Sequence, residues 1–214
     1  MTPAVCLNDD DTIAFIGDSI TDAEKHRRAY HPLGFGYVHF VANFLRARHP
    51  NLTISIINAG VGGDTIIDLQ NRWQRDCLAH RPNVLSVLVG INDVCRLTTE
   101  PAFAQNAAAP ETFEVTYNQL LSQARQMRDV QLVLMEPFLF CDDRQGELYD
   151  AVRPYVAIVR KLAATYGAVL VPLQQEIDRL IDKVAPERWA DDGVHPHLRA
   201  HAWIAQRWLE ATSL

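Results

Sequence analysis

The sequence predicts an α/β fold of three layers, a five-stranded parallel sheet with helices on both faces, and two observations predict it. Five short apolar runs alternate with longer segments whose apolar residues recur at helical spacing. Several of these runs stop at small or polar residues, as at Gly17-Asp18-Ser19, Gly60-Val61-Gly62-Gly63 and Gly90-Ile91-Asn92-Asp93. Strands that leave a sheet for a helix end in this way, and right-handed crossovers between parallel strands leave few other topologies.

In chain order, Thr12 to Ile16 is the first strand, followed by a polar loop from Asp22 to Pro32. Leu33-Gly34-Phe35-Gly36 opens a helix with Tyr37, Phe40, Val41, Phe44 and Leu45 on its apolar face, and His49-Pro50 stops it. Leu52 to Asn58 is a β-branched run and the second strand. After the glycine cluster a helix runs to about Ala79, with Ile66, Leu69, Trp73 and Cys77 facing the core. Arg72 and Asp76 form an i,i+4 pair on it, read as surface structure or as support behind a site. Pro82 precedes the third strand, Val84 to Val89.

Leu97 to Pro110 has two prolines and no clear period, so it reads as a long loop, a lid or a contact surface. Phe113, Tyr117, Leu120, Leu121 and Ala124 mark another helix, Gln131 to Met135 the fourth strand, and Phe138 to Gly146 a second loop. The helix through Val152, Val159 and Leu162, the fifth strand Ala168 to Val171 and a shorter helix through Leu180 follow. A turn-rich loop from Trp189 to Pro196 leads to a last helix carrying Ile204, Ala205, Trp208 and Leu209.

With 214 residues, 48% hydrophobic and 21% charged, the chain fits one domain over 1–214 with a core of its own. A net charge of −6 with no basic run argues against nucleic acid as a partner. The first eleven residues lack the basic and apolar regions of a leader, and no run is long enough to span a membrane. Cys6, Cys77, Cys95 and Cys141 are scattered without C-x-x-C spacing, so they read as reduced thiols of a cytoplasmic protein.

Acyl transfer requires a hydroxyl, a base, an orienting acid and donors for an oxyanion. Ser19, at the end of the first strand, supplies the hydroxyl, and Asp18 braces its turn. Gly63 offers a backbone N–H, and Asn92 a side-chain amide, at the next two strand ends. His195 is the candidate base and Asp192, three residues earlier on a glycine-containing turn, its orienting acid. Each segment also has a plain structural reading: a strand-to-helix turn, an N-cap pair, a surface turn, a solvated histidine. Two other classes remain. His195, His197 and His201 offer nitrogen ligands for a metal hydrolase, and Gly60-x-Gly62 resembles part of a dinucleotide fingerprint, with Thr65 at its third glycine position.

Taken together, Gly17-Asp18-Ser19-Ile20, Asn58 through Thr65, Gly90-x-Asn92-Asp93 and Asp192-x-x-His195-Pro196 resemble the four ordered blocks of the SGNH (GDSL-type) hydrolase superfamily. The resemblance covers nearly the whole chain. It implies a flavodoxin-like sheet and a serine esterase that uses no metal and no cofactor. Ser19 is then nucleophile, His195 base and Asp192 its partner, with the Ser19 and Gly63 N–H groups and the Asn92 side chain as oxyanion hole.

Within the superfamily, Leu33-Gly34-x-Gly36-Tyr37, Asn71-Arg72-Trp73-x-x-Asp76 and Gly90-Ile91-Asn92-Asp93-Val94 look like intracellular bacterial acetylxylan esterases and related carbohydrate deacetylases. Cys95, His197 and Ala200 depart from that pattern, where tryptophan, asparagine and glycine are common. The implied substrate is a short acyl ester, such as an acetylated oligosaccharide. Asp18, Ile91 and Val194 are candidates to line its site. Trp189 reads either as a wall on the leaving-group side or as a core-facing anchor for its loop. A homo-oligomer is compatible with all of this.

Overall fold

The computed structural model describes residues 4–127 and 129–214. Five parallel strands, β1 (Thr12–Gly17), β2 (Ser55–Gly60), β3 (Val84–Leu88), β4 (Gln131–Met135) and β5 (Val169–Val171), lie in the order β2-β1-β3-β4-β5. Their near-continuous burial explains why they read as apolar runs: parallel strands are covered on both faces. The chain steps outward from β1 to β2, then returns to lay β3 on the other side of β1. Strand order therefore reverses beside β1, and the crevice at such a reversal is where open α/β sheets hold ligands.

Eight α-helices lie among the described residues, six between successive strands and two after the last strand. In chain order they are α1 (Ser19–Asp22), α2 (Tyr37–Arg48), α3 (Ile66–Asp76), α4 (Ile91–Thr98), α5 (Pro110–Ala124), α6 (Glu147–Tyr166), α7 (Leu173–Ile181) and α8 (Leu198–Thr212). Helix α2 packs against α8, while α3, α5 and α6 pack in sequence, which gives the two outer layers. Phe15 of β1 joins the first of these layers to the sheet, with its ring 5.8 Å from Tyr37 of α2 and 5.4 Å from Trp208 of α8.

The expected strand ends hold at β1, β3 and β4 to within a residue, but β2 starts three residues later than its apolar run. The register Thr12 to Ser55 and Gly17 to Gly60 sets its limits. Before Ser55 the partner strand has turned away, and Thr53 instead donates to the Asp9 side chain and accepts from the Asp10 N–H. Phe44, placed on the apolar face of α2, is 39% exposed, and the Arg48 guanidinium lies 5.8 Å from its ring. The segment read as a long loop is shorter than expected. Helix α4 continues to Thr98, a 3-10 turn spans Pro101–Asn106, and Pro110 opens α5.

Candidate active site

Helix α1 follows β1 after a single residue. Asp18 is its N-cap: one carboxylate oxygen accepts from the Ile20 N–H at 3.0 Å, which turns the chain and lifts Ser19 to the first helical position. Burial pushes the Asp18 carboxyl up to about 7, and its second oxygen has no hydrogen-bond partner among the described residues. Ser19 itself is half-buried, at the carboxyl end of the strand beside the reversal in strand order.

The loop between α7 and α8 brings the other half of the site. His195 Nε2 lies 3.0 Å from Ser19 Oγ, although 176 residues separate the two. His195 Nδ1 lies 2.6 Å from Asp192 Oδ2. The other Asp192 oxygen accepts from the Val194 and His195 N–H groups at 2.9 and 2.8 Å, so the carboxylate closes its own turn. Burial acts to raise the Asp192 carboxyl, but the hydrogen bonds from the His195 ring and from these two N–H groups outweigh it and hold it below the usual range. An ionised Asp192 facing Nδ1 keeps the ring proton there, which leaves Nε2 as an acceptor toward Ser19.

Two further strand ends, of β2 and β3, flank that of β1. Gly63, at φ +82, sits in a left-handed turn that favours glycine, and its N–H makes no hydrogen bond among the described residues. Its carbonyl is held by Arg96, and the next carbonyl, of Asp64, accepts from Asn92 Nδ2 at 2.9 Å. One Asn92 amide hydrogen is thus spent on positioning the loop, and the second is available to a ligand. Behind them Asp93 accepts from the Ile66 N–H at 3.1 Å and from the Ala108 N–H at 2.9 Å. This ties the start of α3 and the segment before α5 to the end of β3.

Of the two readings of Arg72 and Asp76, surface structure or support behind a site, the structure bears out the second. Arg72 is buried, and Asp76, at 3.4 Å, is its longest contact. Its Nε meets Asp64 Oδ2 at 2.5 Å, and its two terminal nitrogens donate to the Ala59 and Gly17 carbonyls at 2.6 and 3.0 Å. One guanidinium therefore joins the ends of β1 and β2 to the glycine turn. Asn58 makes a similar tie, donating to the Thr21 and Leu33 carbonyls at 2.7 and 2.8 Å.

A cavity of about 330 Å³ opens beside Ser19 and His195, walled by Ile20, Ala23, Phe35 and His201. The four expected lining residues do not form its wall. Asp18 and Ile91 are each 1% exposed and present no surface to a substrate. Trp189 is the anchor: its indole stacks on Phe140 at 6.4 Å and leans on Trp203. Val194 is half-buried and packs against the core. A larger cavity, about 840 Å³ between α6 and α7, contains no nucleophile beside a base, so chemistry and not volume locates the site.

The three histidines considered as metal ligands go separate ways. His195 faces Ser19, His197 Nε2 lies 3.1 Å from Asp191, and His201 Nδ1 accepts from the Tyr37 N–H at 3.2 Å. Sequence reasoning did not find the burial of His201, because a histidine in the first turn of a helix carries no mark of which way it faces.

Residues 15–203 match the model of the GDSL-like lipase/acylhydrolase family. The chain belongs to that family. An acetylxylan esterase of Geobacillus stearothermophilus is 30% identical over 201 residues, covering 92% of this chain and 91% of its own length. The crystal structure of that organism's acetylxylan esterase Axe2 superposes with a TM-score of 0.91 at 28% identity, covering all of this chain and 97% of Axe2. LAE5, an α/β hydrolase from the metagenome of Lake Arreo, Spain, gives a TM-score of 0.90 at 30% identity over 97% of each chain. Three similar structures are Axe2 variants described as catalytic mutants, with a serine, an aspartate or a histidine replaced by alanine. The esterase is therefore a carboxylic ester hydrolase of the SGNH type, and small-molecule esters are its substrates.

Proposed function

We propose that residues 1–214 form one hydrolase domain that removes short acyl groups, acetyl above all, from a carbohydrate, with Ser19 as nucleophile. The observation that carries this reading is the unbroken relay from Ser19 Oγ through His195 to Asp192, at 3.0 and 2.6 Å. In the reaction Ser19 Oγ attacks the ester carbonyl carbon as its proton passes to His195 Nε2. Asp192 stabilises the resulting imidazolium. The carbonyl oxygen becomes an alkoxide that accepts from the Ser19 and Gly63 N–H groups and the second Asn92 amide hydrogen. Collapse breaks the ester C–O bond, and the alcohol leaves with the proton held by His195. A water molecule, deprotonated by the same ring, then attacks the acyl-serine, releases the acid and restores the hydroxyl.

The small cavity beside Ser19 supports a short acyl group, and the likeness to acetylxylan esterases supports a sugar acetate. The test is kcat/KM on acetylated xylo-oligosaccharides beside p-nitrophenyl acetate and butyrate, with Ser19→Ala as the control. The sugar acetates should be preferred and acetate should exceed butyrate, while Ser19→Ala folds normally and hydrolyses none of them. Equal rates on all three would reduce the reading to a general esterase. Wild-type rates in Ser19→Ala would remove the serine from the reaction.

A further inference from the structure

His201 stands in the wall of the active-site cavity and is only 2% exposed. Three contacts fix its ring. Nδ1 accepts from the Tyr37 N–H at 3.2 Å, at the start of α2. Phe35 meets the ring edge to face, with centroids 5.4 Å apart and planes at 89°. Gly36 lies against the Nδ1–Cε1 edge so closely that a Cβ there would come within 3.0 Å of Cε1 and 2.6 Å of the Ala23 Cβ. Any other residue at 36 would clash with the Ala23 side chain and crowd the imidazole.

These contacts determine the state of the ring. Burial, with the nearby His195 adding to it, lowers the His201 pKa to about 4, so the ring is neutral near pH 7. A neutral imidazole carries one proton, and Nδ1 is occupied as an acceptor, so the proton sits on Nε2. Nε2 makes no hydrogen bond among the described residues, where the ring's one side-chain bond is through Nδ1. The Nδ1–Cε1 edge faces Gly36 and Tyr37, and the Nε2–Cδ2 edge is the one turned away from them. Nε2 is not sealed among buried atoms without a partner, so it keeps accessible surface, and the ring lines the cavity next to Ser19 and His195.

We propose that His201 Nε2–H is a substrate-binding donor that holds an oxygen of the leaving group, a hydroxyl or ring oxygen of a polyol. The chemistry of the substrate leaves little else for it to bind. In an acetyl ester the methyl group accepts no hydrogen bond, and the carbonyl oxygen belongs to Gly63 and Asn92. Every other acceptor is on the alcohol side. A sugar presents several oxygens near the ester, whereas a p-nitrophenyl group presents only the ester oxygen itself within the same reach. His201 thereby favours polyol esters over aryl esters. This rests on the carbohydrate-ester reading of the site.

Two substitutions separate binding from support. In His201→Asn the side-chain oxygen overlays Nδ1 and keeps the Tyr37 bond, but nothing reaches the position of Nε2. In His201→Gln the amide nitrogen overlays Nε2 and keeps the donor, and the Tyr37 bond is lost. The kcat/KM ratio of acetylated xylobiose to p-nitrophenyl acetate should fall roughly three- to tenfold in His201→Asn, the worth of one net hydrogen bond, and chiefly through KM. In His201→Gln it should stay nearer the wild-type value, and unacetylated xylobiose should inhibit His201→Asn more weakly than wild type.

The reverse order, with His201→Gln the poorer enzyme and His201→Asn close to wild type, would make the ring a support for α2 and overturn the proposal. Equal losses on both substrates would place the donor on a step they share, such as binding the deacylating water, and would also overturn it. A wild-type enzyme that cleaves p-nitrophenyl acetate but no sugar acetate would instead sink the carbohydrate reading, and the ligand class with it. Thermal melting of both variants checks that they fold.

Discussion

Asn92 serves two masters with one amide. One hydrogen fixes the Asp64 carbonyl and so the glycine turn, and the other is left for a ligand. In the proposed mechanism, removing the amide deletes a donor where negative charge appears, and it also loosens the turn that carries Gly63. Losses from a single oxyanion donor run to roughly 100- to 1,000-fold in turnover. Asn92→Ala should therefore show kcat reduced by about that factor, with KM changed far less, because the donor acts mainly on the alkoxide. Steady-state kinetics on p-nitrophenyl acetate measures it, and a near-normal kcat in the folded variant would take Asn92 out of the oxyanion hole.

Among the elements, the ends of β1 and β2 and the turn after β2 depend on Arg72 of α3. Its guanidinium satisfies two strand-end carbonyls and the Asp64 carboxylate, all largely buried. Deleting it leaves a buried carboxylate and two carbonyls without their donor. Breaking a buried pair in this way costs about 3–5 kcal/mol. Arg72→Ala should lower the urea midpoint accordingly, and Arg72→Lys should not restore it, since an ammonium cannot reach three acceptors set in different directions. A loss under about 1 kcal/mol in Arg72→Ala would mean that the pair contributes little. The same element bears out one of the two readings of the Arg72 and Asp76 pair, support behind a site. The i,i+4 spacing of Arg72 and Asp76 is real, but the nearer carboxylate is Asp64, which only the packing of α3 on the strand ends brings within reach.

At the scale of the molecule, buried ionisable groups near the site couple folding to pH. Burial raises Asp18 to about 7, and Asp93 likewise to about 7, against roughly 3.9 for an unfolded aspartate. The folded chain retains these protons where the unfolded chain releases them. Their contribution to stability is complete below about pH 4 and is lost as pH rises through 7. His201 runs the other way: its folded value is about 4, so its contribution is present above roughly pH 6.5 and lost as pH falls through 4. Asp18→Asn keeps the acceptor for the Ile20 N–H and cannot ionise. Its stability relative to wild type should therefore rise between pH 5 and pH 8, as read from urea denaturation at both values. A difference that does not change with pH would show that Asp18 does not titrate between them.

Most of the architecture was legible along the chain, since local pattern carries it. Apolar runs alternating with helical periodicity, and small or polar residues at their ends, determined the parallel sheet and placed Ser19, Gly63 and Asn92 at neighboring strand ends. Spacing within one turn also determined the pairing of Asp192 with His195. The tertiary structure alone decided what depends on distant contacts. The start of β2 follows from its register with β1, the partner of Arg72 from the seat of α3, and the neutral, buried state of His201 from α2 packing against α8. The 3.0 Å approach of Ser19 to His195 belongs here too, because it spans 176 residues. Periodicity reports which face of an element is apolar; it does not report which other element will cover that face, and burial, pairing and protonation all depend on the second.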